Sequence, residues 1–199
     1  MDVAGKAAVV TGGARGLGLA ISRAFLAQGA RVVVNCHRSL EAATALQRES
    51  GPERAYAVQA DVTDPAQVAA MVAQARAHFG APVTAVVNNA LVDFAFDGDA
   101  RPHAAEIGWE RFSRQFDGAV RGALNTVQAA LPGMREAGFG RVVNIGTNLF
   151  QNPVVPYHDY TAAKAALLSL TRTLAHDLGP DGITVNMVSG GLLRTTDAS

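Results

Sequence analysis

The chain has 199 residues, 49% of them hydrophobic and 17% charged, a balance that suits one α/β domain with a buried core. Its formal net charge is zero, so no basic footprint invites nucleic acid or an anionic membrane. A lone Cys36, no apolar run near membrane-spanning length and no signal-type N-terminus argue against a disulfide framework, a cysteine metal cluster and a membrane anchor, and the expectation is a cytoplasmic protein.

In chain order, short β-branched runs alternate with alanine-rich helical stretches. AAVVT at 7–11 reads as a first strand, and LGLAISRAFLAQG at 17–29 as a helix ended by Gly29. RVVVN at 31–35 is the second strand, followed by a helix over 39–50 with Ser39 as its natural N-cap. AYAVQA at 55–60 is strand three, and 64–80 is helical, with Pro65 in its first turn and Gly80 at its stop. VTAVVNN at 83–89 is strand four. A loop of mixed charge and two helical segments around 106–137 follow, in which Trp109 and Phe112, three apart, read as packing residues. RVVNIG at 141–146 is strand five, 158–178 a long helix, and ITVNMVS at 183–189 strand six. Near-continuous hydrophobic strands with helical crossovers predict a single domain: a doubly wound parallel sheet of the Rossmann type, with helices on both faces.

TGGARGLG, at 11–18, lies between strand one and helix one. Gly12, Gly16 and Gly18 allow a tight turn and close backbone approach, and the helix N-terminus offers free N–H groups to a phosphate. No GxxxxGK[ST] pattern is present, so this is not a P-loop. A dinucleotide site for NADH wants an acid at the end of strand two, whereas this chain has Asn35-Cys36-His37-Arg38-Ser39. Arg38 and Ser39, with Arg15 from the glycine loop, can instead hold a 2′-phosphate, which favours NADPH over NADH.

The chain has fifteen arginines and two lysines, Lys6 and Lys164, and Lys164 follows Tyr160 by four residues on the long helix. Residues four apart share a helix face. A phenol titrates near pH 10 and needs help to act as an acid or base at neutral pH, and an ammonium within ~4–6 Å would lower that value. A tuned Tyr160 could pass a proton to a reacting carbonyl oxygen. A compact ammonium can also donate to ribose hydroxyls, which an arginine fork does less well.

The order TGGARGLG, then VVNNA at 86–90, then Tyr160-x-x-x-Lys164 resembles the short-chain dehydrogenase/reductase family over essentially the whole chain, most like its 3-oxoacyl-acyl-carrier-protein reductase branch. The resemblance implies that Gly12, Arg15, Gly16, Leu17 and Gly18 line the pyrophosphate and adenosine ribose of the cofactor. Asp61 and Val62 would flank the adenine. Asn88 and Ala90 would lie along the nicotinamide-side ribose, and Thr195 would contact the carboxamide. Lys164 would bind that ribose and depress the pKa of Tyr160. The family's serine, thirteen residues before the tyrosine, is here Thr147, whose hydroxyl can still bond a carbonyl oxygen. Oligomerisation as a homodimer or homotetramer, through helices around 103–135 and 158–178, is implied in the same way.

The chain departs from the family pattern in several places. Ala119 stands where the family has a helix asparagine behind the lysine. Leu91 replaces the glycine of NNAG, and Gly190-Gly191 stands where Pro-Gly is usual. The family's substrate-covering helices and final strand have no counterpart before Ser199, so the expected sheet lacks that strand and ends on strand six, an edge open to pairing. A piece of a longer chain, or an edge covered by a partner, would each account for it.

The function expected is reduction of a ketone, such as a 3-oxoacyl thioester, with NADPH, Tyr160 giving the proton and Thr147 and Lys164 assisting. A dinucleotide-binding module without catalysis is the alternative. A methyltransferase using S-adenosylmethionine shares the sheet logic but has no use for Tyr160 and Lys164. The five histidines lack HExxH spacing, so no metal site is expected, and His158 and Asp159 read as helix-start or substrate-mouth residues. The loop FQNPVVP at 150–156 is placed to shape a pocket or merely to connect.

Overall fold

A computed structural model describes residues 3–191. Six strands form its sheet: β1 Ala7–Val10, β2 Arg31–Cys36, β3 Ala55–Gln59, β4 Val83–Asn88, β5 Gly140–Thr147 and β6 Ile183–Gly190. All pair in parallel, in the order β3-β2-β1-β4-β5-β6. The helices are α1 Gly16–Ala27, α2 Leu40–Ser50, α3 Pro65–Phe79, α4 Trp109–Phe116, α5 Gly122–Glu136 and α6 His158–Leu178.

The hydrophobic runs are continuous because the central strands are buried on both faces. Val9 and Val33 join a core with Met71 of α3, Val127 of α5 and Leu178 of α6. Their neighbours Val10, Val32 and Val34 point the other way, onto Leu26 of α1 and Leu46 of α2. After β3 the chain crosses to the far side of β1 to form β4. That reversal opens a crevice at the carboxyl ends of β1 and β4, the place where doubly wound sheets take ligands.

Local chemistry sets the ends of α3 but not the start of α2. The Asp64 carboxylate accepts the Ala66 and Gln67 amides at 2.8 and 3.2 Å, Pro65 occupies the first helical position, and Gly80 ends α3 at φ 62°. Ser39 does not cap α2 as expected. At φ −98°, ψ 53° it lies outside the extended geometry that aims a capping hydroxyl, and only its backbone carbonyl joins the helix, accepting from Ala43 N.

The two helical segments expected around 106–137 are joined without a break by a π-helical turn, Asp117–Arg121. Trp109 is not a core residue. It is 71% exposed, and its ring stacks on Phe112 at 5.7 Å along the surface of α4. Among the described residues no helix is long and apolar enough to cross a membrane.

Candidate active site

The glycine loop turns tightly between β1 and α1. Gly12 takes φ 61°, in the left-handed region. Gly18 packs so closely beneath it that a Cβ there would sit 2.1 Å from the Gly12 carbonyl oxygen. Arg15 and Gly16 are exposed and Leu17 half-buried at the start of α1, which has no side-chain cap on its first-turn amides. An open helix N-terminus on a glycine turn at the sheet's crevice fits a dinucleotide pyrophosphate.

Three side chains that sequence reasoning passed over hold this loop. Asn35 Oδ1 accepts from Gly12 N at 3.3 Å while its Nδ2 donates to Ala60 O at 3.0 Å. Thr11 Oγ1 accepts the amides of Asn89 and Ala90 at 2.9 and 3.0 Å. Asn89 Nδ2 in turn donates to Thr11 O at 3.0 Å. These bonds join the carboxyl ends of β1, β2, β3 and β4 into one rim.

Beyond β3, the Asp61 carboxylate accepts from Thr63 N and Oγ1, both at 2.8 Å, and so braces the turn that carries Val62. Arg38 extends into solvent with its guanidinium 3.4 Å from the Asp93 carboxylate, and Ser39 is half-buried beside it. Thr195 lies outside the described residues.

The second half of the site gathers at the end of β5 and the start of α6. Thr147 is the last residue of β5, and Tyr160 and Lys164 lie in the first two turns of α6, all three buried. The Thr147 hydroxyl accepts from Leu149 N at 3.2 Å and stands close enough to the Tyr160 phenol to act on its pKa. Lys164 Nζ donates to Ile145 O at 2.6 Å. Burial pushes its ammonium down to about 8.

Burial pushes the Tyr160 phenol up, and the Thr147 hydroxyl pulls it part of the way back. The lowering expected from Lys164 is not what this geometry gives. Nζ lies 5.8 Å from the centre of the phenol ring and is tied to the β5 backbone, so Thr147 is the group that opposes burial.

A narrow cavity reaches Lys164 from the β1/β4 crevice, lined by Thr11, Asn88, Ala90, Ala119 and Leu167 among others. Ala119 sits in the π-helical turn and Ala90 at the end of the β4 rim, so both face this passage. Asn88 also borders it, but both ends of its amide are engaged internally rather than offered to a ribose. Its Oδ1 accepts from Thr126 at 2.5 Å and its Nδ2 donates to Asn144 at 2.8 Å. Asn144 passes the chain on to Thr171 of α6 at 2.8 Å. This buried row ties α5, β4, β5 and α6 together beneath the site.

Asp159, beside Tyr160, is buried and accepts from Arg111 of α4 at 3.2 Å. Above Tyr160, the loop after β4 lays Phe94 over its ring at 4.6 Å and sets Phe96 edge-on at 5.4 Å. Neither phenylalanine was singled out in the sequence. Their signal is an alternation, Val92, Phe94, Phe96, inside a stretch whose charges read as loop.

The family model for short chain dehydrogenase matches residues 6–199. Versicolorin reductase 1 of Aspergillus parasiticus is 37% identical over 96% of this chain and 71% of its own length. NADPH-dependent aldehyde reductase 2 of Arabidopsis thaliana, a chloroplastic protein, is 34% identical over 97% of this chain and 74% of its own. The crystal structure of a blue fluorescent protein from a metagenomic library, in complex with NADPH, superposes with a TM-score of 0.81 at 39% identity, covering 95% of this chain and 75% of that one.

Proposed function

The chain belongs to the short-chain dehydrogenase/reductase family, and from that membership we propose an NADPH-dependent enzyme that reduces a ketone to a secondary alcohol. The observation that carries the reading is the burial of Thr147, Tyr160 and Lys164 together, at the mouth of a dinucleotide-type crevice. A neighbour at TM-score 0.81 holds NADPH, and a relative 34% identical is named NADPH-dependent, which supports the choice of cofactor.

Bound NADPH would supply the hydride to the carbonyl carbon. The residues that would hold it are Gly12, Arg15, Gly16, Leu17 and Gly18 at the pyrophosphate, Arg38 and Ser39 at the 2′-phosphate, Asp61 and Val62 at the adenine, and Asn88 and Ala90 toward the nicotinamide end. For Asn88 the backbone, not the engaged amide, would serve. Tyr160 donates its proton to the carbonyl oxygen, which is why a phenol held protonated by burial suits the reducing direction. Thr147 donates to the same oxygen as charge develops on it. Lys164 fixes the floor of the site and can donate to a ribose hydroxyl.

A 3-oxoacyl thioester is one candidate substrate, put forward by the branch resemblance alone. Exposed Trp109, stacked on half-buried Phe112 of α4, supports a homodimer or homotetramer built on α4, α5 and α6. Ala119, lining the passage to Lys164, favours a second reading, cofactor binding without turnover. Loss of NADPH absorbance with a panel of ketones and 3-oxoacyl thioesters separates the two. Turnover supports the reductase; tight NADPH binding with no turnover supports the module.

A further inference from the structure

The loop between β4 and α4 is held as a strap. From Val92 to Asp97, half-buried Val92, Phe94 and Phe96 alternate with exposed Asp93, Ala95 and Asp97, so that one side of the segment lies on the protein while its backbone turns at Asp93, φ 44°. It is pinned at both ends. Val92 O accepts from Gln115 Nε2 at 3.0 Å, and its side chain fills the space left by Gly118, where a Cβ would come within 2.8 Å. Asp97 closes a turn by accepting the amides of Asp99 and Ala100 at 3.0 and 2.9 Å.

Between the pins, the two phenyl rings hang over the reacting phenol. Phe94 stacks on Tyr160 with 23° between the planes, and Phe96 meets Tyr160 at 80°. Both meet Tyr157 edge-on, at 5.2 and 5.9 Å. Phe94 and Phe96 thus contact each other and both tyrosines where a substrate's carbonyl must enter to reach Tyr160 and Thr147.

We propose that Phe94 and Phe96 determine specificity, selecting a neutral, planar aryl ketone whose ring packs into the Phe94–Phe96–Tyr157 cluster while its carbonyl reaches Tyr160. This rests on Tyr160 being the proton donor. A flat ring gains offset-stacked or edge-to-face contacts that a saturated ring or flexible acyl chain of similar area does not. Charge points the same way. The loop from 91 to 108 carries Asp93, Asp97, Asp99 and Glu106 against Arg101 alone among lysines and arginines. Such a mouth repels the anionic carriers of acyl thioesters.

The test compares kcat/KM for 2-acetylnaphthalene and for cyclohexyl methyl ketone, with NADPH, in the native chain and in Phe94→Leu, Phe96→Leu and Phe112→Leu. The aryl-to-cyclohexyl ratio is expected to fall about threefold to tenfold in each of the first two variants, chiefly through KM, and to hold in Phe112→Leu. Equal losses for both ketones, or a native preference for 3-oxobutanoyl-CoA, would overturn the proposal. If no ketone is turned over, the reductase reading itself has failed, and calorimetric titration of 2-acetylnaphthalene decides the selectivity. Affinity that drops in Phe94→Leu sustains it, whereas equal affinity, or no binding to the native chain, overturns it.

Discussion

Lys164 Nζ donates to the carbonyl oxygen of Ile145 across 2.6 Å, fastening α6 to β5 two residues before Thr147. Phenol, hydroxyl and ammonium are therefore all referenced to the end of one buried strand. The position that departs from the chain's preference for arginine is one where a compact ammonium reaches a backbone carbonyl deep in the protein, which a planar fork would fit poorly.

That placement opposes folding near neutral pH. Burial lowers Lys164 from its ordinary 10.5 to about 8, so the unfolded chain binds the proton more tightly than the folded one. The opposition is complete below pH 8 and fades as pH rises from about 8 to about 10.5. At 1.36 kcal/mol per pH unit the gap is worth about 3 kcal/mol, before any offset from the Ile145 bond. Lys164→Met is expected to lose activity yet gain about 1–3 kcal/mol of stability at pH 7 in urea titrations, the gain shrinking toward pH 10. A variant less stable than the native chain at pH 7 would show that the Ile145 bond outweighs the desolvation.

Thr147 is asked to do two things, to offset the effect of burial on the Tyr160 phenol and to donate to the substrate oxygen. Thr147→Ser keeps the hydroxyl, and kcat is expected to stay within about fivefold; Thr147→Val removes it, and kcat is expected to fall about a hundredfold. Single-turnover rates measure this directly. Equal rates in the two variants would remove Thr147 from the chemistry.

Arg111 and Asp159 link α4 to the residue preceding Tyr160. Asp159 is buried and Arg111 half-exposed, so removing the cation strands a carboxylate while solvent softens the penalty. Arg111→Met is expected to cost about 1–2 kcal/mol, and the double variant with Asp159→Asn to recover most of it. Additive losses in that cycle would mean the pair contributes nothing as a pair.

On the nucleotide side, the one partner of Arg38 among the described residues is the exposed Asp93 at 3.4 Å, a bond worth at most about 1 kcal/mol. A 2′-phosphate should take it over. The ratio of kcat/KM for NADPH over NADH is expected to fall at least tenfold in Arg38→Ala and to rise up to about fivefold in Asp93→Asn. An unchanged ratio in Arg38→Ala would move phosphate recognition elsewhere on the chain.

The sheet was legible because parallel strands buried on both faces leave uninterrupted hydrophobic runs such as VVV at 32–34. Tyr160 and Lys164 were legible because four-residue spacing puts them on one helix face. That spacing did not reveal where Nζ goes, and the bond to Ile145 depends on how α6 packs on β5. Thr147 came only by resemblance, since the loop from 148 to 157 has no periodicity that ties it to Tyr160. The row Thr126–Asn88–Asn144–Thr171 needed the β4–β5 register, in which Asn88 faces Asn144. Ser39 has the right chemistry for a cap but the wrong backbone angles, which residue type alone does not reveal.

The central claim is that Tyr160 gives the proton to a ketone while NADPH is consumed. The most direct measurement is the loss of NADPH absorbance with a reducible ketone, in the native chain and in Tyr160→Phe. Turnover is expected in the native chain and a loss of at least about a hundredfold in the variant, with its fold intact. Turnover that survives Tyr160→Phe would contradict the claim and send the search for the acid to another group.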